Sequence, residues 1–169
     1  NYQMFGIFTI FVDGMSANES SKCANDICWQ TYRDAYLSGY VDIGSHTMHH
    51  LDFATLSQEE GLAELTTSKN IIEENIGNGL IVTTLTWPFE SVPEWGPDIS
   101  SIGFTTAFGG NTYPILENTI WRDKPEDFYK LPRILPPGSY GISGRPNNKT
   151  LLQIMQMYTL ANSASGSWK

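Results

Sequence analysis

Residues 38–60 read SGYVDIGSHTMHHLDFATLSQEE. Tyr40 to Ile43 is a short run with β-branched and aromatic residues, and it predicts a strand over 40–43. Directly after it come all three histidines of the chain, His46, His49 and His50. Ser57-x-x-Glu60 then forms a capping-box signature, in which the two side chains reciprocally satisfy backbone N–H groups at a helix start. Leu62, Leu65, Ile72 and Ile76 follow at helical spacing and Gly77 closes the pattern. A strand, a polar turn at its C-terminal end and a capped helix together make half of a β-α-β unit.

The same alternation continues on both sides. Upstream, residues 5–12 (FGIFTIFV) form an apolar run closed by Asp13-Gly14, which reads as a buried strand. A polar loop over 15–27 carries both cysteines. A helix over 28–38 places Trp29, Tyr32 and Tyr36 on one face and ends at Gly39. Downstream, LIVTTL (80–85) predicts a strand that runs into Trp87-Pro88-Phe89, where Pro88 stops regular pairing. A short helix over 97–102, a strand over 103–108, irregular chain over 110–130, a short strand in KLPRILP (130–136) and a helix over 148–160 with Leu151, Leu152, Met155 and Tyr158 complete the reading. Strands alternating with helices predict an α/β fold with a largely parallel sheet, whose functional groups gather at the carboxyl ends of the strands.

Composition narrows the function. The chain has 169 residues, the size of one domain, and a net charge of −8 with only 10 Lys+Arg and no basic cluster. Nucleic acid is thereby disfavoured as a partner, because phosphate neutralisation requires clustered Lys and Arg. No segment approaches the roughly 20 apolar residues of a membrane helix. Residues 1–14 lack the basic start and small-residue cleavage site of a signal peptide. A chain opening directly on a core strand points to preceding sequence. Cys23 and Cys28 fit either a disulfide in an oxidising compartment or two free thiols. With the sequons Asn18-Glu19-Ser20 and Asn148-Lys149-Thr150 they point to an extracytoplasmic setting.

His46 and His50 stand four residues apart, a spacing that on a helical turn sets both imidazoles on one face. Imidazole suits zinc, cobalt, nickel and iron, and catalytic zinc sites add a third protein ligand, often a carboxylate. His49 points elsewhere. The competing reading is a polar surface turn with three unrelated histidines.

The segment SGYVDIGSHTMHHLDFATLSQEE resembles the Gly-Ser-His-Thr-x-x-His motif of the polysaccharide deacetylases, the NodB-type carbohydrate esterases. FGIFTIFVDG is similar to the family's second strand, and LTWPFES to its aromatic-Pro-aromatic groove motif. IGFTTAFGGN and FYKLPRI are similar to segments of the bacterial subgroup acting on poly-N-acetylglucosamine-like polymers. The resemblance runs from about residue 5 to 160. It implies one domain over 1–169, a distorted, incomplete (β/α) barrel, N-terminally incomplete and lacking its first strand here. It also implies a divalent metal, usually zinc, held by one Asp and two His, the latter being His46 and His50. The implied reaction is hydrolysis of the acetamide of an N-acetylated amino-sugar polysaccharide, with a neighbouring Asp as general base, releasing acetate and leaving an amine.

One motif of the family is missing from the pattern. Its Thr-Phe-Asp-Asp-Gly segment supplies the base and the acidic metal ligand, and here only IFVDG (10–14) stands near it. Either Asp13 is the metal ligand with Val12 in place of the base, or Asp13 closes the family's second strand and the acidic pair belongs to a segment missing from this chain. The distance from Asp13 to His46 favours the second. Trp87, Pro88 and Phe89 line a sugar groove or pack in the core. Glu90 faces an amino sugar or water. Arg133 orients the catalytic carboxylate or forms a surface ion pair, and Trp95 and Trp121 read as packing residues. The alternative to an enzyme is an inactive carbohydrate-binding or structural relative that keeps the fold.

Overall fold

The computed structural model describes residues 6–13, 27–109 and 125–131. Among these residues four strands form one sheet in the order β1-β2-β3-β4, with β1 Gly6–Ile10, β2 Val41–Ser45, β3 Thr84–Thr86 and β4 Thr106–Phe108. Every neighbouring pair is parallel. Helix α1, Ile27–Leu37, connects β1 to β2, and helix α2, Gln58–Ile76, connects β2 to β3. Consecutive strands lying side by side with helical crossovers is the arrangement of a (β/α) barrel segment, so the expected α/β fold with a parallel sheet is what forms. Register is fixed from Gly6↔Val41 to Ile10↔Ser45, which ends β1 and β2 at the same level.

Ser57 is the N-cap of α2 and the capping box forms in both directions. Its hydroxyl accepts the Glu60 N–H at 3.3 Å, while Glu60 Oε2 accepts the Ser57 N–H at 3.0 Å and its hydroxyl at 2.6 Å. These two bonds, the hydroxyl's first, hold the Glu60 carboxyl below its usual value near 4.5. A depressed folded value means that the ionised form adds stability above that usual value and that this is lost as pH falls through the lowered one. Loss of the Ser57 cap in Ser57→Ala is expected to cost about 1 kcal/mol at pH 7. The cost should shrink in acid, as thermal melts at pH 7 and pH 3 would record.

The buried positions of α2 are Gly61, Glu64, Leu65, Ser68, Ile72 and Ile76. Leu65, Ile72 and Ile76 join Ile10, Ile43, Phe53, Leu85, Trp87 and Phe104 in one core. Leu62 of the sequence pattern is only partly buried, and Gly61 takes the inward position instead. A Cβ there would stand 2.2 Å from the Trp95 indole. Trp95 packs as expected, against Phe53 and Trp87 with centroids 6.1 Å away in each case.

The predicted third strand begins four residues late. Leu80 and Val82 are buried in the core, but Val82 N–H donates to Glu73 Oε1 at 2.8 Å and Val82 C=O accepts from Lys69 Nζ at 2.5 Å. The Lys69–Glu73 pair of α2, 2.7 Å apart, thus satisfies backbone groups that a ladder would otherwise use. The fourth strand is shortened for a related reason. A 3-10 helix over Gly96–Ile102 is capped by Gly103 at φ 90°, and pairing starts only beyond it. The KLPRILP strand survives as one parallel bridge, Leu131 to Phe108, with residues 132–136 outside the described residues. A 3-10 turn at Pro125–Tyr129 lies within the stretch read as irregular. The predicted 148–160 helix and Trp121 fall outside the described residues.

Candidate active site

His46 is the first residue after β2. Its N–H donates to Ile10 C=O at 2.7 Å, so the end of β1 sets its position. Its Nδ1 lies 2.7 Å from Thr86 C=O at the end of β3. A carbonyl can only accept, so in the neutral ring Nδ1 carries the proton and Nε2 the lone pair. The His50 ring stands edge-on to it, centroids 4.8 Å apart, flanked by Phe11 at 5.5 Å and Phe89 at 4.7 Å. The three strand ends therefore bring together the two histidines that the spacing singled out.

The loop between them is strained. Five non-glycine residues among those described have positive φ, namely Thr47, His50, Asn78, Phe89 and Glu90. Four of the five lie in the two loops that carry His50 and Phe89. Such conformations cost on the order of 1–2 kcal/mol each and persist where the surroundings enforce them. Here Val12 N–H and Asp13 N–H donate to the carbonyls of Thr47 (3.1 Å) and Met48 (2.9 Å). Ser45 Oγ accepts Thr47 N–H at 3.0 Å, and Thr47 Oγ1 accepts His50 N–H at 3.1 Å.

His49 faces away from the pair, as the spacing implies, and meets Glu64. Its ring Nδ1 lies 2.8 Å from Glu64 Oε2 and its backbone N–H donates to Oε1 at 2.6 Å. The hydrogen bond to Glu64 raises the His49 pKa, burial opposes it, and the negative charges of Glu64 and Asp13 add to the rise. Glu64 and Ser68, whose Oγ lies 2.8 Å from Ser45 Oγ, were not singled out in the sequence. The available signal was two polar residues interrupting the apolar stripe of α2.

Trp87, Pro88 and Phe89 part company. Trp87 is 0% exposed, with Nε1 donating to Tyr129 C=O at 2.8 Å and its ring 5.3 Å from Phe53. Pro88 is buried too. Phe89 is 64% exposed at φ 54°, its ring presented beside His50. Glu90 follows at φ 60°, partly buried. Asp13 is exposed beside the histidine loop, and Arg133 lies outside the described residues. Cys28 is disulfide-bonded, and Cys23 lies outside the described residues.

A divalent ion is the group this pair suits. The Nδ1 anchor of His46 is the arrangement in which a histidine presents Nε2 to a metal, its other nitrogen held by a carbonyl. The ring separation is compatible with two ligands of one cation. Among the described residues, however, no three His, Cys, Asp or Glu side chains assemble into a metal-holding group. His46 and His50 thus fit two positions, and a third protein ligand is not among their described neighbours.

The family model described as polysaccharide deacetylase matches residues 7–99, more than half of the chain. No curated protein matches the sequence. Among solved structures, a polysaccharide deacetylase from Bacillus cereus is similar at TM-score 0.64 and 16% identity, covering 92% of this chain and 42% of that one. The deacetylase PplD of Streptococcus pyogenes, solved with acetate, gives 0.61 and 11%, covering 90% and 58%. A deacetylase domain from Bordetella bronchiseptica gives 0.52 and 13%, covering 75% and 59%. The chain spans less than two thirds of the length of each, and at these identities the likeness is one of fold.

Proposed function

Since the chain belongs to the polysaccharide deacetylase family, we propose that it hydrolyses the acetamide of an N-acetylated amino-sugar polysaccharide, using a divalent metal held by His46 and His50. The observation that carries this is the paired imidazoles at the joined ends of β1, β2 and β3, with the His46 tautomer fixed by Thr86. Two imidazole donors suit zinc, the family's usual metal, and also cobalt, nickel and iron. When bound, such an ion acts as a Lewis acid toward an amide carbonyl. Arg133 is the candidate for orienting a catalytic carboxylate through a bidentate pair. The disulfide at Cys28 supports an extracytoplasmic location, where such bonds persist. No helix among the described residues is long and apolar enough to cross a membrane.

Phe89 is the sugar platform in this reading, and Trp87 its buried support. An exposed aromatic face beside the histidine pair can stack on a pyranose ring. Phe89→Ala should raise KM on the order of 10-fold, equivalent to about 1.4 kcal/mol, with kcat within about 2-fold, the mark of lost uniform binding. Steady-state kinetics would check the split.

The function itself is tested by incubating the full-length protein with chitooligosaccharides and with poly-N-acetylglucosamine, measuring acetate and new amine together. Equal release of both from one polymer is the expected result. Binding of the polymer without release would instead favour a carbohydrate-binding relative that keeps the fold.

A further inference from the structure

We propose that Glu64 of α2 is a positioning residue that holds the His46–His50 pair in ligand geometry, an inference that rests on the function proposed above. Glu64 touches neither histidine of the pair. It grips the residue between them through two contacts, Oε1 on the His49 N–H at 2.6 Å and Oε2 against the His49 ring at 2.8 Å. Its side chain is 8% exposed, and a carboxylate at that depth costs stability unless fully paired. A leucine there would continue the buried stripe of Gly61, Leu65, Ile72 and Ile76 without that cost. The acid therefore serves register rather than core stability.

What needs holding is the backbone on both sides of His49. Thr47 at φ 70° and His50 at φ 55° are conformations that a free five-residue turn would leave. The bonds from Val12 and Asp13, just beyond β1, and from the Ser45 hydroxyl fix the first part of the loop, up to Met48. Beyond it, the His50 N–H bond to Thr47 Oγ1 ties the loop only to itself. Among the described residues, Glu64 is what ties the His49 backbone to a rigid element. Ser68, one turn further along α2, secures Ser45 at the loop's start through the 2.8 Å hydroxyl contact. Helix α2 thus clamps both ends of the segment that presents the two imidazoles.

The test uses the full-length protein with Zn2+ alone as probe, with zinc affinity by titration, melting in chelator, and amide exchange at His49. Glu64→Leu should melt at or above the unmutated temperature, exchange the His49 amide faster, and bind zinc 10- to 100-fold more weakly, as is usual for outer-shell partners. Glu64→Gln keeps an oxygen for the N–H and should bind within about 3-fold of the unmutated protein, again judged against that 10- to 100-fold scale. Glu64→Asp, which withdraws the carboxylate by one methylene, carries the test if the leucine variant does not fold, with affinity expected to drop about 10-fold. Unchanged zinc affinity in Glu64→Leu, or in Glu64→Asp in that case, overturns the role of Glu64 alone. An unmutated protein that takes up no zinc overturns the metal site itself, and the role of Glu64 with it.

Discussion

Trp87→Ala is expected to destabilise the domain by about 3–5 kcal/mol, the range for emptying a large buried aromatic site. The side chain is wholly buried and joins Phe53 and Trp95 in an aromatic cluster. The site could not easily collapse. One wall is Gly109, where even a Cβ would stand 2.7 Å from Trp87 Cβ, and another is Tyr129, whose carbonyl takes the indole N–H. The substitution therefore opens a cavity and strands a carbonyl together. With total stabilities of 5–15 kcal/mol for ordinary domains, such a loss approaches the whole. Denaturant unfolding would read it. A loss under about 1 kcal/mol would mean that the indole is not the support of the loop that follows it.

His46→Ala and His50→Ala, made singly, are each expected to lower kcat/KM for deacetylation at least about 1000-fold, or some 4 kcal/mol of transition-state stabilisation. The effect on folding should be far smaller. Both side chains are partly exposed, and the chief structural loss is the His46 bond to Thr86 C=O, worth about 1 kcal/mol. Parallel measurement of kinetics and melting separates the two. Variants that lose activity only in proportion to folding would reduce the pair to a structural turn. His49→Ala loses only the ring contact to Glu64 and keeps the backbone N–H bond to Oε1, so its activity should fall far less than that of either pair variant.

Local chemistry explains which parts were legible in the sequence. The β2-turn-α2 unit was readable because a capping box, a helical apolar stripe and an i, i+4 histidine pair each act within a few residues. The start of β3 was not, because side chains of Lys69 and Glu73, 13 and 9 residues earlier, decide how Val82 is satisfied. Trp87 and Phe89 are adjacent aromatic residues in one motif, and sequence gives no basis for telling them apart. Their opposite fates follow from Gly109, Tyr129 and the positive φ of Phe89, all set by distant packing. The grip of Glu64 on His49 spans 15 residues and joins a helix to a loop, so it surfaces only once α2 is laid on the sheet. The level of Asp13 beside the histidine loop follows likewise from the β1-β2 register.

The most direct test of the account is the metal content of the unmutated full-length protein. After loading with Zn2+ and removal of excess, elemental analysis should find about one ion per chain, as a single catalytic site requires, and none in the His46→Ala, His50→Ala double variant. A metal-free protein under those conditions, or equal metal in the double variant, would contradict the assignment of His46 and His50 as ligands.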